Sequence, residues 1–158
     1  MYPKQFLEYL YEFHYTRDYF ECHEVLEDFW KNKTEMKRDS VWTGLIQLAV
    51  SLYHYRRGNM VGAKKLIDRC NEKLMEHPDE LDCLGLSNRE LLTLVSDLQY
   101  NIDANVPYKS VDLPIASEKL KEKLQHFAIQ KNEHTEYAYQ VTDERVIHRH
   151  LKEFRNDH

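Results

Sequence analysis

The chain is short of the residues that break or staple a fold. Its 158 residues include four glycines, four prolines and three cysteines. No proline falls between Lys4 and His77, so that block can hold long helices. Cys22, Cys70 and Cys83 are odd in number and form no CxxC pair. That pattern fits a reduced, cytoplasmic protein whose thiols pack as small apolar groups. Long apolar runs are missing too. The stretch from Gly44 to Val50 is interrupted by Gln47 and is too short to span a membrane. Met1-Tyr2-Pro3-Lys4-Gln5-Phe6 holds no apolar signal core. There is no excess of positive charge: the net charge is −5, which argues against a phosphate backbone as the main partner and leaves nucleic acid out of the expected partners. Nor is there an H-E-x-x-H motif, a Ser-His-Asp order or a Gly-rich phosphate loop.

What is present is helical periodicity. With 42% hydrophobic and 31% charged residues, the chain has a soluble, globular composition. Phe6, Leu7, Leu10 and Phe13 line a first helix over 4–15. Asp18 and Glu21 give a D-x-x-E start for a second helix that runs to about Asn32. A third, over 37–57, is apolar nearly all round and is therefore the central helix. Gly58-Asn59 ends it and starts a fourth, over 60–75. Glu76-His77-Pro78-Asp79 reads as a turn, and Ser87-Asn88-Arg89-Glu90 as the capping box of a fifth helix through Ile102. Residues 105–114 should be extended before their prolines. Two further helical patterns follow, one on Leu120, Leu124 and Phe127 and one on Ile147, Leu151 and Phe154, with a weak strand-like alternation at Tyr137–Val141 between them. Thirteen of the 19 aromatics lie in residues 1–55, which places the main core there.

The charges separate along the chain. Residues 17–31 carry two basic against five acidic side chains, and residues 37–73 eight basic against three acidic. The basic set Arg56, Arg57, Lys64, Lys65 and Arg69 is either a solvated face or a docking surface for an acidic partner. A repeat is also visible. Phe13-His14-Tyr15 and Tyr53-His54-Tyr55 are 40 residues apart, and Leu26 and Asp28 match Leu66 and Asp68 at the same offset. Two related helical hairpins follow from this. The second has Ser51, Gly58 and Ala63 near the small-residue positions of a tetratricopeptide hairpin.

The second helix carries the most chemistry. His23 and Glu27 are one turn apart and Trp30 continues their stripe, on a face otherwise made of Tyr19, Cys22, Leu26 and Phe29. Three readings compete. The pair fixes packing by hydrogen bonding within itself or to Gln47. Alternatively His23, Glu27, Trp30, Trp42 and Gln47 form a polar and aromatic ligand pocket between helices two and three. Or His23 and Glu27 act in acid–base or metal-assisted, hydrolase-like chemistry, with His14 or His54 as third ligand of a divalent metal.

His23-x-x-x-Glu27 followed by Trp30, then Gly44-Leu45-Ile46-Gln47-Leu48-Ala49 and Gly58-Asn59 with Gly62-Ala63, resembles the domain-of-unknown-function family 309. The resemblance covers residues 6–75. It implies a small all-helical bundle of the bacterial and archaeal kind and singles out the His, Glu and Trp. It implies no activity.

The sequence thus points to an all-α bundle of about five helices from two related hairpins over 1–103. An extended linker and C-terminal helices over 104–158 would pack on the bundle or a partner. The expected role is a non-catalytic cytoplasmic binding or scaffold module without a cofactor. A homodimer that buries exposed aromatics is a further expectation.

Overall fold

In the computed structural model, which describes residues 2–131, five of the α-helices begin where a side chain accepts a hydrogen bond from an orphan amide, and two begin at a proline. Helix α1 (Lys4–Tyr11) follows Pro3. Asp18 accepts from the Glu21 amide at 3.1 Å and opens α2 (Tyr19–Lys33). Ser40 accepts from Thr43 at 3.2 Å and opens α3 (Val41–Arg56). Asn59 does so for Gly62 at 3.1 Å and opens α4 (Met60–Met75). Pro78 sits in the first turn of the short α5 (Pro78–Cys83), where its missing amide hydrogen costs nothing. Ser87 caps α6 (Asn88–Asp103), and Ser117 caps α7 (Glu118–Gln130). The described residues form an all-α bundle, with an isolated antiparallel bridge between Leu86 and Ile115.

Three boundaries differ from the sequence expectation. The first helix does not run on to residue 15 in α form. It widens into a π-helical turn, Glu12–Thr16, that buries Phe13, His14 and Tyr15 together. Arg17 closes that turn in the left-handed region at φ 57°. Helix α3 starts at Val41 because Ser40 caps it, leaving residues 34–40 as an exposed loop. Pro78 begins a helix where a turn was expected.

Helix α3 is the centre, packed against α2 on one side and α4 on the other. Gly44 shows how close the second contact is. A Cβ there would lie 2.6 Å from Leu74 Cδ2 and 3.2 Å from Lys73 Cβ, so close helix approach offsets the ~1 kcal/mol that a mid-helix glycine costs. Helix α6 packs on α4, and α7 on α1. Leu113, Ile115, Leu120, Leu124 and Phe127 join the same core as Phe6, Leu45 and Leu52.

Residues 105–117 form a strap across the π-turn and the C-terminal end of α3. Tyr19 Oη lies 2.5 Å from Tyr108 Oη, and Tyr55 Oη donates to the Val106 carbonyl at 2.5 Å. Arg17 donates to the Val111 carbonyl at 2.6 Å and to Asp112 Oδ1 at 2.7 Å. The Leu113 amide donates to His14 Nε2 at 2.9 Å. Cys22 and Cys70 are buried as small apolar groups, whereas Cys83 is exposed. No described helix is long and apolar enough to cross a membrane. The expected strand-like segment at Tyr137–Val141 and the helical pattern on Ile147, Leu151 and Phe154 lie outside the described residues.

Candidate functional site

Helix α2 turns its inward face to α3, and the i, i+4 spacing stacks His23 and Glu27 on it. His23 is 1% exposed, and its Nε2 donates to Glu27 Oε2. The other carboxylate oxygen accepts from Lys31 Nζ at 2.7 Å, one turn further on. The hydrogen bond from His23 holds the Glu27 carboxyl down at about 2 against the opposing effect of burial, and Lys31 adds to it. At neutral pH this carboxylate is therefore ionised, bonded on both oxygens and a weak base.

Beyond Glu27 the surface opens into a cleft of about 420 Å³. Glu27 and Trp30 of α2, Thr43, Ile46, Gln47 and Val50 of α3, and Leu66 of α4 line it. Arg38 of the 34–40 loop and Arg69 of α4 complete it. Trp30 Nε1 donates to the Lys37 carbonyl at 2.9 Å, so the indole N–H serves the loop and the ring faces remain as apolar wall. Gln47 Oε1 is buried without a hydrogen-bond partner among the described residues.

The residues singled out from sequence do not all meet. Glu27, Trp30 and Gln47 share the cleft, and His23 lies behind Glu27 rather than in its lining. Trp42 lines a separate hollow of about 360 Å³ with Thr34, Lys37, Asp39 and His77. It packs edge-on against Phe29 at 4.9 Å and Phe6 at 6.0 Å. The proposed third metal ligands are placed elsewhere. His14 bonds to the Leu10 carbonyl through Nδ1 at 3.0 Å and accepts from Leu113 through Nε2, so both ring nitrogens serve the backbone. His54 faces Asn59, seven residues and about 10 Å along α3 from Gln47. Among the described residues, His23 and Glu27 therefore gain no third ligand from either histidine.

Two comparisons bear on this geometry. The profile of a domain of unknown function, DUF309, matches residues 6–66. A relative in Bacillus subtilis (strain 168), the uncharacterized protein YpuF, is 48% identical over 122 residues, which cover 77% of this chain and 70% of the relative. The chain belongs to the DUF309 family. No solved structure matches it. The matched stretch contains His23, Glu27, Trp30, Arg38 and Gln47, whereas Arg69 and the strap lie beyond it. Membership in DUF309 thus covers most of the cleft and names no activity for it.

Sequence reasoning missed two features. Arg38 and Arg69 enter the cleft from a loop and from the next helix. Arg38 was signalled only by membership of the basic 37–73 block, and Arg69 by that block and by the basic set read as a solvated or docking face. The second feature is a clasp at the other end of the loop. His77 Nε2 lies 3.0 Å from Asp39 and its Nδ1 3.0 Å from Glu80. Burial works against the imidazolium, but these two carboxylates outweigh it and leave the His77 pKa raised. The ligand-type atoms of Asp39, Glu76 and His77 fall within 4.8 Å of one another. This exposed cluster ties the 34–40 loop to the α4–α5 corner.

Proposed function

We propose that this chain is a non-catalytic binding module and that its working surface is the cleft between α2, α3 and α4. One observation carries the reading: a buried amide oxygen without a partner, Gln47 Oε1, sits in a wall otherwise made of Trp30, Ile46, Val50 and Leu66. An unpaired polar atom in such a place costs about 1–3 kcal/mol, so a wall that keeps it calls for a function. Apolar walls with a few polar groups are the usual make-up of small-ligand sites. The state of Glu27 also favours binding over catalysis. A carboxyl held at about 2 and engaged by His23 and Lys31 is poorly suited to take up a proton.

A protein-observed NMR fragment screen on the full chain tests this, with the two indole N–H resonances as reporters. Trp30 and Trp42 lie in different hollows, so their signals separate cleft binding from binding elsewhere. Hits that shift the Trp30 indole and leave Trp42 in place support the reading. A screen whose hits all leave Trp30 unmoved sinks it.

A further inference from the structure

The charge around the cleft narrows what it would take; this step rests on the cleft being the working surface. Arg38 and Arg69 are both exposed, and neither forms an ion pair among the described residues. Of the acids nearest to them in sequence, Glu35 pairs with Lys37, Asp39 with His77 and Asp68 with Lys64, while Glu72, three residues on from Arg69, forms no ion pair with it among the described residues. Inside the cleft, Glu27 is already compensated by Lys31 and bonded to His23. Two guanidinium groups in the lining of one cleft are thus left without an ion-paired carboxylate among the described residues. Arginine forks suit carboxylate and phosphate oxygens.

Gln47 adds a second requirement. Its amide oxygen is buried and unbonded, and the terminal torsion of glutamine is broad, so a half-turn of the amide brings either the oxygen or the nitrogen to the cleft. A group that both donates and accepts, such as another amide, is the complement. The third requirement is an apolar body to cover Trp30, Ile46, Val50 and Leu66. The volume of about 420 Å³ is near the low end for ligand sites and suits an object of one amino-acid residue.

We propose that the cleft binds a small N-acylated amino acid: carboxylate between Arg38 and Arg69, amide against Gln47, side chain on the Trp30 wall. A free N-acyl amino acid and the last residue of a peptide share this chemistry.

Isothermal titration of the full chain tests it. The probes are the N-acetyl derivatives of leucine, methionine and phenylalanine, their uncharged carboxamides, and acetylated dipeptides ending in the same residues. At least one N-acetyl acid should bind, and its carboxamide should bind about tenfold more weakly. Arg38→Gln and Arg69→Gln should each weaken the acid about tenfold, leave the carboxamide unchanged and keep the wild-type melting temperature. Gln47→Leu should weaken both probes alike. A dipeptide that binds more tightly than its N-acetyl acid identifies a peptide end as the ligand; one that binds equally or more weakly identifies the free acid. Carboxamides that bind as well as acids would overturn the proposal, as would arginine variants without effect. If other fragments shift Trp30 while no N-acetyl acid binds, the ligand class is wrong and the cleft stands. If nothing shifts Trp30, both readings fall.

Discussion

The two ends of the α2–α3 pair treat polar side chains in opposite ways. At the strap end His14, Arg17 and Asp18 are at most 1% exposed. Residues 105–117 give Arg17 the Val111 carbonyl and Asp112 and give His14 the Leu113 amide, while Asp18 accepts from the Glu21 amide of α2. Among the described residues no strap covers the cleft end. Glu27 is 24% exposed, and among the described residues Gln47 Oε1 lacks a hydrogen-bond partner and Arg38 and Arg69 form no ion pair. Both aromatic-His-aromatic triplets, Phe13-His14-Tyr15 and Tyr53-His54-Tyr55, lie at the strap end. What separates the two ends among the described residues is that 105–117 cover the first end and leave the second open. An unbonded buried atom alone does not mark a site, since Arg56 Nε and Nη2 at the strap end also lack a hydrogen-bond partner among the described residues; at the cleft end such an atom lies beside an open volume of about 420 Å³.

The largest expected effect lies at the strap. Arg17→Ala removes a buried guanidinium that donates to Phe13, Val111 and Asp112, while its left-handed backbone remains. Truncating one member of such a network costs about 3–5 kcal/mol. Urea unfolding should show that loss, and a change under 1 kcal/mol would erase the contrast between the two ends.

Acid should attack the same end next. Burial lowers the His14 pKa to about 4, despite the opposing charge of Asp112. A histidine held below its ordinary value near 6.5 contributes fully above that value. Its contribution is then lost as pH falls from about 6.5 toward 4. The full shift corresponds to about 3 kcal/mol. Stability measured from pH 7 to pH 4 should fall on that scale, and the fall should shrink in His14→Asn. An NMR titration of the native chain gives a second reading: a His14 ring that protonates above pH 6 would break the prediction.

What was legible in the sequence was local. The caps at Asp18, Asn59 and Ser87 act within three residues, and His23–Glu27 lies within one turn of helix, so both could be read without tertiary information. The π-turn was not legible, because Phe13-His14-Tyr15 continues an ordinary helical pattern and only packing against the strap and α2 widens it. Helix α5 was hidden because proline at a first helical turn and proline in a loop look alike in sequence. Trp42 was grouped with Gln47, yet five residues carry it about 140° round α3, into a different hollow. Arg38 and Arg69 meet only through the packing of a loop and α4 onto α2 and α3, which no spacing within one helix encodes.

At the cleft the expected effects are smaller. Glu27→Ala leaves the nearly buried His23 N–H without its acceptor and frees Lys31, which should cost about 1–3 kcal/mol in urea unfolding. Lys31→Ala, at a side chain 52% exposed, should cost under about 0.5 kcal/mol. Equal losses in the two variants would mean that Lys31, rather than His23, anchors the carboxylate.

The smallest effect is the sharpest test of the comparison, because it sets arginine against arginine. Arg17 and the pair Arg38 and Arg69 carry the same group, but only Arg17 is buried in a network supplied by the chain. Substituting Arg38 and Arg69 together by glutamine removes no ion pair formed among the described residues, so stability should stay within about 0.5 kcal/mol of wild type. It should also stay there at low salt, where surface charge effects are greatest. A double variant that loses more than 1 kcal/mol would show that these side chains hold α4 and the 34–40 loop in place. The cleft end would then be an architectural surface like the strap end, with its polar groups serving the fold.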